Sequence, residues 1–400
     1  MNNIVSVGGL ALMLLTAYLL STNRRAIDYR LVLWGVGLQF AFAVFILKTR
    51  PGILIFDRIS LAITTLLGFA DAGSQFVFGP LADSDSFGFV IAFQVLPIII
   101  FTASLFSLLY YLGIMQRVVL VFAKIMALTM RTSGAESLAA AANVFMGMTE
   151  APLVIKPFVG RMTQSELMAL MTGGMATIAG SVMAAYIQMG VDAGHLLTAS
   201  VMAAPAGLVV AKILNPETET PLTREDVRIE MDQDDVNFID AISRGATDGL
   251  RLALNVAAML IAFVALIALA NGILGLVGLT LQQILGYMFA PVALVIGVPP
   301  TDVLTVGSLL GQKVVMNELI AYSSLTEIIA TPGALDPRSV TIATYALAGF
   351  ANLGSIGIMI GGIGGIAPER RHDLARLGLR SLLGGTMATL MTASIAGILL

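Results

Sequence analysis

Uncharged apolar stretches recur along this 400-residue chain, at 4–20, 31–47, 87–114, 167–190, 196–211, 252–273, 281–298, 339–366 and 381–400. A helix needs about 20 apolar residues to cross the hydrocarbon of a bilayer, and these runs meet or approach that length. A soluble domain of this size needs roughly a quarter of its residues charged. Here 12% are charged and 57% hydrophobic, so the surplus apolar surface requires lipid as its solvent. The expected fold class is an all-α polytopic membrane protein, with no hydrophilic segment long enough for a separate soluble domain.

Several function classes drop out on composition. The formal net charge of −3 and the lack of any Lys/Arg cluster able to follow a phosphate backbone argue against nucleic acid as a partner. Without cysteine there is no disulfide, thiolate metal site or cysteine nucleophile. His195 and His372, read as loop residues beside Asp192 and Asp373, do not make a metal site. No Ser/His/Asp set, zinc-ligand spacing or phosphate-cradling loop supports catalysis, so the protein is not read as an enzyme and no cofactor is expected.

The run Ile4 to Leu20 is followed, not preceded, by basic residues (Arg24, Arg25, Arg30), as in a retained first span with its N-terminus outside. The loop 368–380 has Arg370, Arg371, Arg376 and Arg380 against Glu369 and Asp373, which predicts the same cytoplasmic side. Trp34 reads as an interfacial anchor. The apolar piece Ile53 to Phe69 is expected along the interface, as is 115–131 with Arg117, Lys124 and Arg131. Asn215 to Asp240, with Pro216, Pro221, Arg224 and Arg228, reads as an extramembrane connector.

Two stretches do not suit straight lipid-facing helices. Segment 135–158 holds Glu136, Asn143, Thr149, Glu150, Pro152, Lys156 and Pro157, and segment 303–325 holds Gln312, Lys313, Asn317 and Glu318. An ionised group at bilayer depth costs at least about 2.5–3.5 kcal/mol on insertion scales. Both stretches are therefore read as hairpins that enter and return within protein, with Lys156 and Lys313 snorkelling to the surface. Each is followed by a glycine-bearing apolar segment, Thr172 to Gly180 and Gly349 to Gly357, of the kind that breaks so its backbone can bind something. Paired interruptions of this sort point to a secondary transporter with a site near the midplane.

The stretch Gly147-Met148-Thr149-Glu150-Ala151-Pro152-Leu153, the pair Asn317-Glu318, Phe350-Ala351-Asn352 with Ser355, and Ser21-Thr22-Asn23-Arg24-Arg25 together resemble the concentrative nucleoside transporters. The similarity extends through Gly73 to Gly79 and Leu254-Asn255-Val256, covering nearly the whole chain. It implies about eight spanning helices, two re-entrant hairpins and interfacial helices around an inverted-repeat core, assembled as a homotrimer in the bacterial inner membrane. By family position Thr149 and Glu150 face the nucleobase, Val182 and Phe350 pack on it, and Glu318, Asn352 and Ser355 hold the ribose. The implied sodium ligands are Asn143, the backbone of Met146, Thr177 and the backbone of Ile178, an oxygen-donor set that suits a hard cation.

This chain has Met148 where many relatives have a base-contacting Gln, and a thioether cannot donate a hydrogen bond, which leaves purine or pyrimidine preference open. Thr177 replaces the more familiar Ser and keeps the hydroxyl, and Gly354 stands where Ser is common. The chain is expected to divide into a scaffold side, 1–134, and a transport core, 135–400. Within the core are repeat 1 (135–213), a connector (214–245) and repeat 2 (303–400). The expected activity is sodium-coupled import of nucleosides by alternating access. Proton coupling, a modified nucleoside or nucleobase as cargo, and a passive channel stay open as alternatives.

Overall fold

The computed structural model describes residues 2–83, 90–223 and 235–400. The fold is helical, with no strand among the described residues. The principal elements are α1 (Asn2–Leu19), α2 (Tyr29–Lys48), α3 (Arg50–Phe78), α4 (Leu96–Tyr111), α5 (Ile114–Met130), α6 (Gly134–Ala142), α7 (Gln164–Ala176), α8 (Gly180–Gln188), α9 (Ala193–Leu214), α10 (Phe238–Leu274), α11 (Leu281–Val295), α12 (Val303–Val315), α13 (Glu318–Ile329), α14 (Pro337–Leu347), α15 (Leu353–Ile366) and α16 (Arg371–Leu399). Many ends are set by short polar caps that satisfy orphan N–H groups: Asp28 for α2, Asp192 for α9, Asn317 for α13 and Asn352 for α15.

Seven helical segments among the described residues have the length and apolarity to cross a membrane: Tyr29–Lys48, Arg50–Ala82, Ile91–Tyr111, Gln164–Gln188, Ala193–Leu214, Phe238–Val277 and Pro368–Leu399. Four shorter apolar helices, α1, α11, α12 and α15, accompany them. The core lies where α9 packs against α2, α7 and α16, with α14 joining α16 from the second half. The segments α7–α8 and α9 are almost wholly buried, whereas α10 has few fully buried residues. At 1.5 Å per residue α10 is about 55 Å long, well beyond a hydrocarbon thickness of about 30 Å. It crosses α4 at Gly245 and Gly249, where a Cβ would stand 2.7 Å from the backbone of Ser104 and of Ile100 respectively. Small residues four apart allow that backbone approach.

The structure extends one reading of the sequence and corrects another. Ile53 to Phe69 is part of the continuous 29-residue α3, because nothing after Thr49 and Pro51 breaks the helix before Gly79, whose φ is +57°. His195 and His372 are not loop residues but stand in the first turns of α9 and α16. Residues 115–131 do form an amphipathic helix, burying Met115, Val119, Ala123, Met126 and Met130 while Arg117 and Lys124 stay exposed. The connector's Arg224 and Arg228 lie outside the described residues. The two basic loops do meet at one end of the bundle: Arg24 Nη2 donates to the carbonyl of Leu19 (2.6 Å) and Arg380 Nη2 to that of Leu20 (2.9 Å).

Candidate functional site

Each polar stretch folds as two helical arms with an irregular turn between them. In the first, a capping box starts α6: Ser133 Oγ accepts from the Glu136 N–H and Glu136 accepts from the Ser133 N–H. The helix ends at Asn143, the chain turns through 144–150, and Pro152 and Pro157 keep the return arm in short helical turns, Ala151–Ile155 and Lys156–Val159. In the second, α12 and α13 meet at Met316 and Asn317, and Gln312 ties the arms by accepting from Ser324 Oγ at 2.8 Å. Each hairpin is followed by a broken helix: α7 and α8 flank 177–179, and α14 and α15 flank 348–352.

The two breaks touch. The Phe350 N–H donates to the Thr177 carbonyl at 3.2 Å, and the Gly180 N–H donates to the Phe145 carbonyl at 2.9 Å, so break one is tied to both break two and hairpin one. Gly349 makes this possible, since a Cβ there would lie 2.9 Å from the Ala176 carbonyl oxygen and 3.0 Å from that of Met175.

Glu318 opens α13 and Asn352 caps α15, so both stand at helix N-termini, where partial positive charge gathers. Asn352 Nδ2 donates to one oxygen of Glu318 at 3.1 Å, and Tyr186 OH donates to the other at 3.0 Å. The Asn352 side-chain oxygen accepts from the Ser355 N–H at 2.9 Å. The structure thus joins Glu318, Asn352 and Ser355 in one buried unit, with Ser355 in the first turn of α15 and Asn352 just before it. Val182 sits one turn before Tyr186 on α8 and so shares its face.

Glu150 precedes the Ala151–Ile155 turn and accepts from the Gly147 N–H at 3.1 Å. It keeps exposed surface, and the Asp248 carboxylate of α10 repels it. Thr149 leans on Gly362 of α15, and Met148 is buried against Gly174 of α7. The candidate base-facing residues of hairpin one are therefore brought against both broken helices.

Of the candidate cation ligands, Asn143 is the C-cap of α6 and Thr177 the C-cap of α7. Both meet at Gly173: Thr177 Oγ1 donates to its carbonyl at 3.0 Å, and a Cβ on it would stand 3.4 Å from Asn143 Nδ2. Asn143 is 1% exposed, and neither its side-chain oxygen nor its nitrogen has a hydrogen-bond partner. A buried amide left wholly unpaired is costly and rare, and a cation would give the oxygen a partner. Among the described residues no backbone hydrogen bond reaches the carbonyls of Met146 and Ile178. The residues present fit a small hard cation.

Two features escaped the sequence reading. Tyr186, which orients Glu318, is stacked on Tyr322 with ring centroids 4.5 Å apart. A tyrosine within a buried helix needs an acceptor for its hydroxyl, and that was the available signal. Lys313 does not snorkel: it is 1% exposed and donates to the Ala346 carbonyl and to Thr389 Oγ1, because α12 ends too deep in the protein for its side chain to reach the surface. Lys156, by contrast, is exposed as expected.

Sequence and fold relatives of the chain are transporters. The family described as Na+ dependent nucleoside transporter matches at residues 8–81 by its N-terminal part and at 195–397 by its C-terminal part, with a nucleoside recognition pattern at 92–193. The chain is 45% identical to the uncharacterized transporter YutK of Bacillus subtilis, covering 99% of each chain. It is 44% identical over 99% of its length to solute carrier family 28 member 3 of Mus musculus, of which it spans 59%. The solved structure of CNTnw in an inward-facing substrate-bound state superposes with a TM-score of 0.95 at 44% identity, covering 100% of this chain and 98% of that one. A variant of that transporter in an outward-facing state gives 0.94 at the same identity and coverage. With all three family patterns matched and near full-length agreement with a bacterial relative, the chain belongs to the concentrative, Na+-dependent nucleoside transporters, a family of transporters and not of enzymes.

Proposed function

We propose that this protein is a sodium-coupled symporter that imports nucleosides by alternating access, as a multi-pass homotrimer of the bacterial inner membrane. The observation that carries the reading is the Glu318 carboxylate, held between Tyr186 and Asn352 at converging helix N-termini inside an apolar bundle. An oriented carboxylate beside an amide can accept from one ribose hydroxyl while the amide serves its neighbour, a pairing that vicinal diols satisfy and that a free base lacks. Thr149 and Glu150 then meet the base edge, with Val182, Phe350 and Met148 supplying apolar contact. Sodium at Asn143, Met146, Thr177 and Ile178 would hold the end of hairpin one against break one. Because break one is hydrogen-bonded to break two through Phe350, ordering the first favours the ribose unit of the second. Positive coupling between the two ligands is then reciprocal.

Supporting the transport cycle, the fold resembles both an inward-facing and an outward-facing state of CNTnw. In this reading residues 1–134 form the scaffold side, and the core, 135–400, moves with its two repeats, 135–213 and 303–400, joined through the connector 214–245. Purified protein in liposomes, given labelled uridine with an inward sodium gradient, an inward proton gradient or none, tests it. Accumulation above the bath concentration with sodium alone is expected. Equilibration to the bath concentration under all three conditions would instead mark a passive pathway.

A further inference from the structure

In the first half of the core, two helix C-termini converge on one point. α6 ends at Asn143 and α7 at Thr177, both against Gly173, and the side-chain amide there has no partner. The second half repeats the convergence with a different occupant. Lys313 lies in the last turn of α12, and its Nζ donates to the Ala346 carbonyl in the last turn of α14 at 2.8 Å and to Thr389 Oγ1 of α16 at 2.9 Å. Among the described residues it forms no ion pair within 4.0 Å, so the groups it touches are at helix ends and on α16, with the Glu318 carboxylate attracting it from farther away. Each C-terminus carries about half a negative charge in unsatisfied carbonyls, and two brought together favour a cation between them.

We infer that Lys313 is a tethered cation that does in the second half what an exchangeable sodium does in the first, fastening hairpin two to the end of α14. It is a positioning residue. The end of α14 leads directly into 348–352, so the ammonium sets the break that presents Phe350 and Asn352, and through Asn352 the orientation of Glu318. One convergence takes up a free ion and the other carries its own, which leaves a single exchangeable cation between these two places. This rests on the sodium-symport reading above.

The test is uridine uptake against sodium concentration in liposomes holding wild type, Lys313→Met, Lys313→Ser or Thr389→Val. Lys313→Met fills the volume without charge. It should raise the uridine KM by about 10-fold or more, leave half-saturating sodium unchanged, and not be rescued by high sodium. Lys313→Ser leaves the Ala346 and Thr389 acceptors open beside an existing cavity of about 70 Å³. Its uptake should recover at high sodium with a steeper dependence, the Hill coefficient rising from about 1 towards 2. Thr389→Val, the milder change, should shift the uridine KM alone. A wild-type uridine KM in Lys313→Met, or a sodium curve of unchanged slope in Lys313→Ser, would overturn the inference. A wild-type curve indifferent to sodium would overturn the symport reading itself.

Discussion

The Phe350 N–H and the Thr177 carbonyl are hydrogen-bonded across 3.2 Å, so the breaks of two helices separated by 172 residues of chain (349 − 177, the residues from 178 to 349) share one backbone contact. Candidate cation ligands lie on one side of that contact and candidate ribose ligands on the other. C-termini gather at the first and N-termini at the second, which sorts cation from polar cargo by helix polarity alone.

Gly349→Val tests the contact. A side chain there collides with two carbonyls of α7 and with Thr389, and backbone cannot yield as a flexible side chain can. Calorimetry should show affinity for sodium and for uridine falling together, each by about 10-fold or more, as a shared element requires. Loss of uridine affinity with sodium affinity intact would mean that the breaks act separately.

Tyr186→Phe leaves Glu318 one donor short while preserving the ring stack on Tyr322. Leaving one oxygen of a buried charged acceptor unpaired costs about 1–3 kcal/mol, so the uridine KM should rise roughly 5- to 100-fold, with a loss of thermal stability no larger than that cost. Asn352→Ala should act in the same direction on every ribonucleoside. Uptake kinetics that distinguish among bases in either variant would remove these residues from ribose recognition.

Thr177→Ala and Asn143→Ala should raise the sodium concentration needed for half-maximal uptake. Saturating sodium should restore most of the uridine affinity in Thr177→Ala, because that hydroxyl is one ligand of four in the proposed set. An unaltered sodium curve in both variants would move the cation elsewhere.

Away from the site, Lys212 Nζ lies 2.7 Å from Glu136 Oε2 and 3.2 Å from Glu217 Oε2, joining the start of hairpin one to the end of α9 and the connector. Glu136 is 3% exposed and Lys212 5%, so Lys212→Met strands a buried carboxylate, at a cost of about 3–5 kcal/mol. Thermal unfolding should show a marked loss for that variant and recovery when Glu136→Gln is added. A double variant no better than the single would mean that packing, not charge, holds this corner.

Much of this arrangement was legible in the residues. Apolar runs announce membrane helices because nothing else in 400 residues offers them a solvent. Glu150, Asn317 and Glu318 announce interrupted hairpins because a lipid-facing helix excludes such groups. What stayed hidden depends on depth and reach. The direction of Lys313 follows from where α12 stops relative to α14, which no local pattern records. Tyr186 pairs with Glu318 across 132 residues of sequence, and its neighbours are apolar in either case. The apolar piece Ile53 to Phe69 is the middle of a longer helix, because the glycine and acidic residues scattered around it are not placed to end α3 before Gly79.

The claim at the centre of this account is that cation and nucleoside stabilise one another through the tied breaks. Equilibrium binding of uridine measured across sodium concentrations, and of sodium across uridine concentrations, tests it most directly. The account predicts that each ligand tightens the other by the same factor, as linkage demands. A uridine dissociation constant independent of sodium would contradict it.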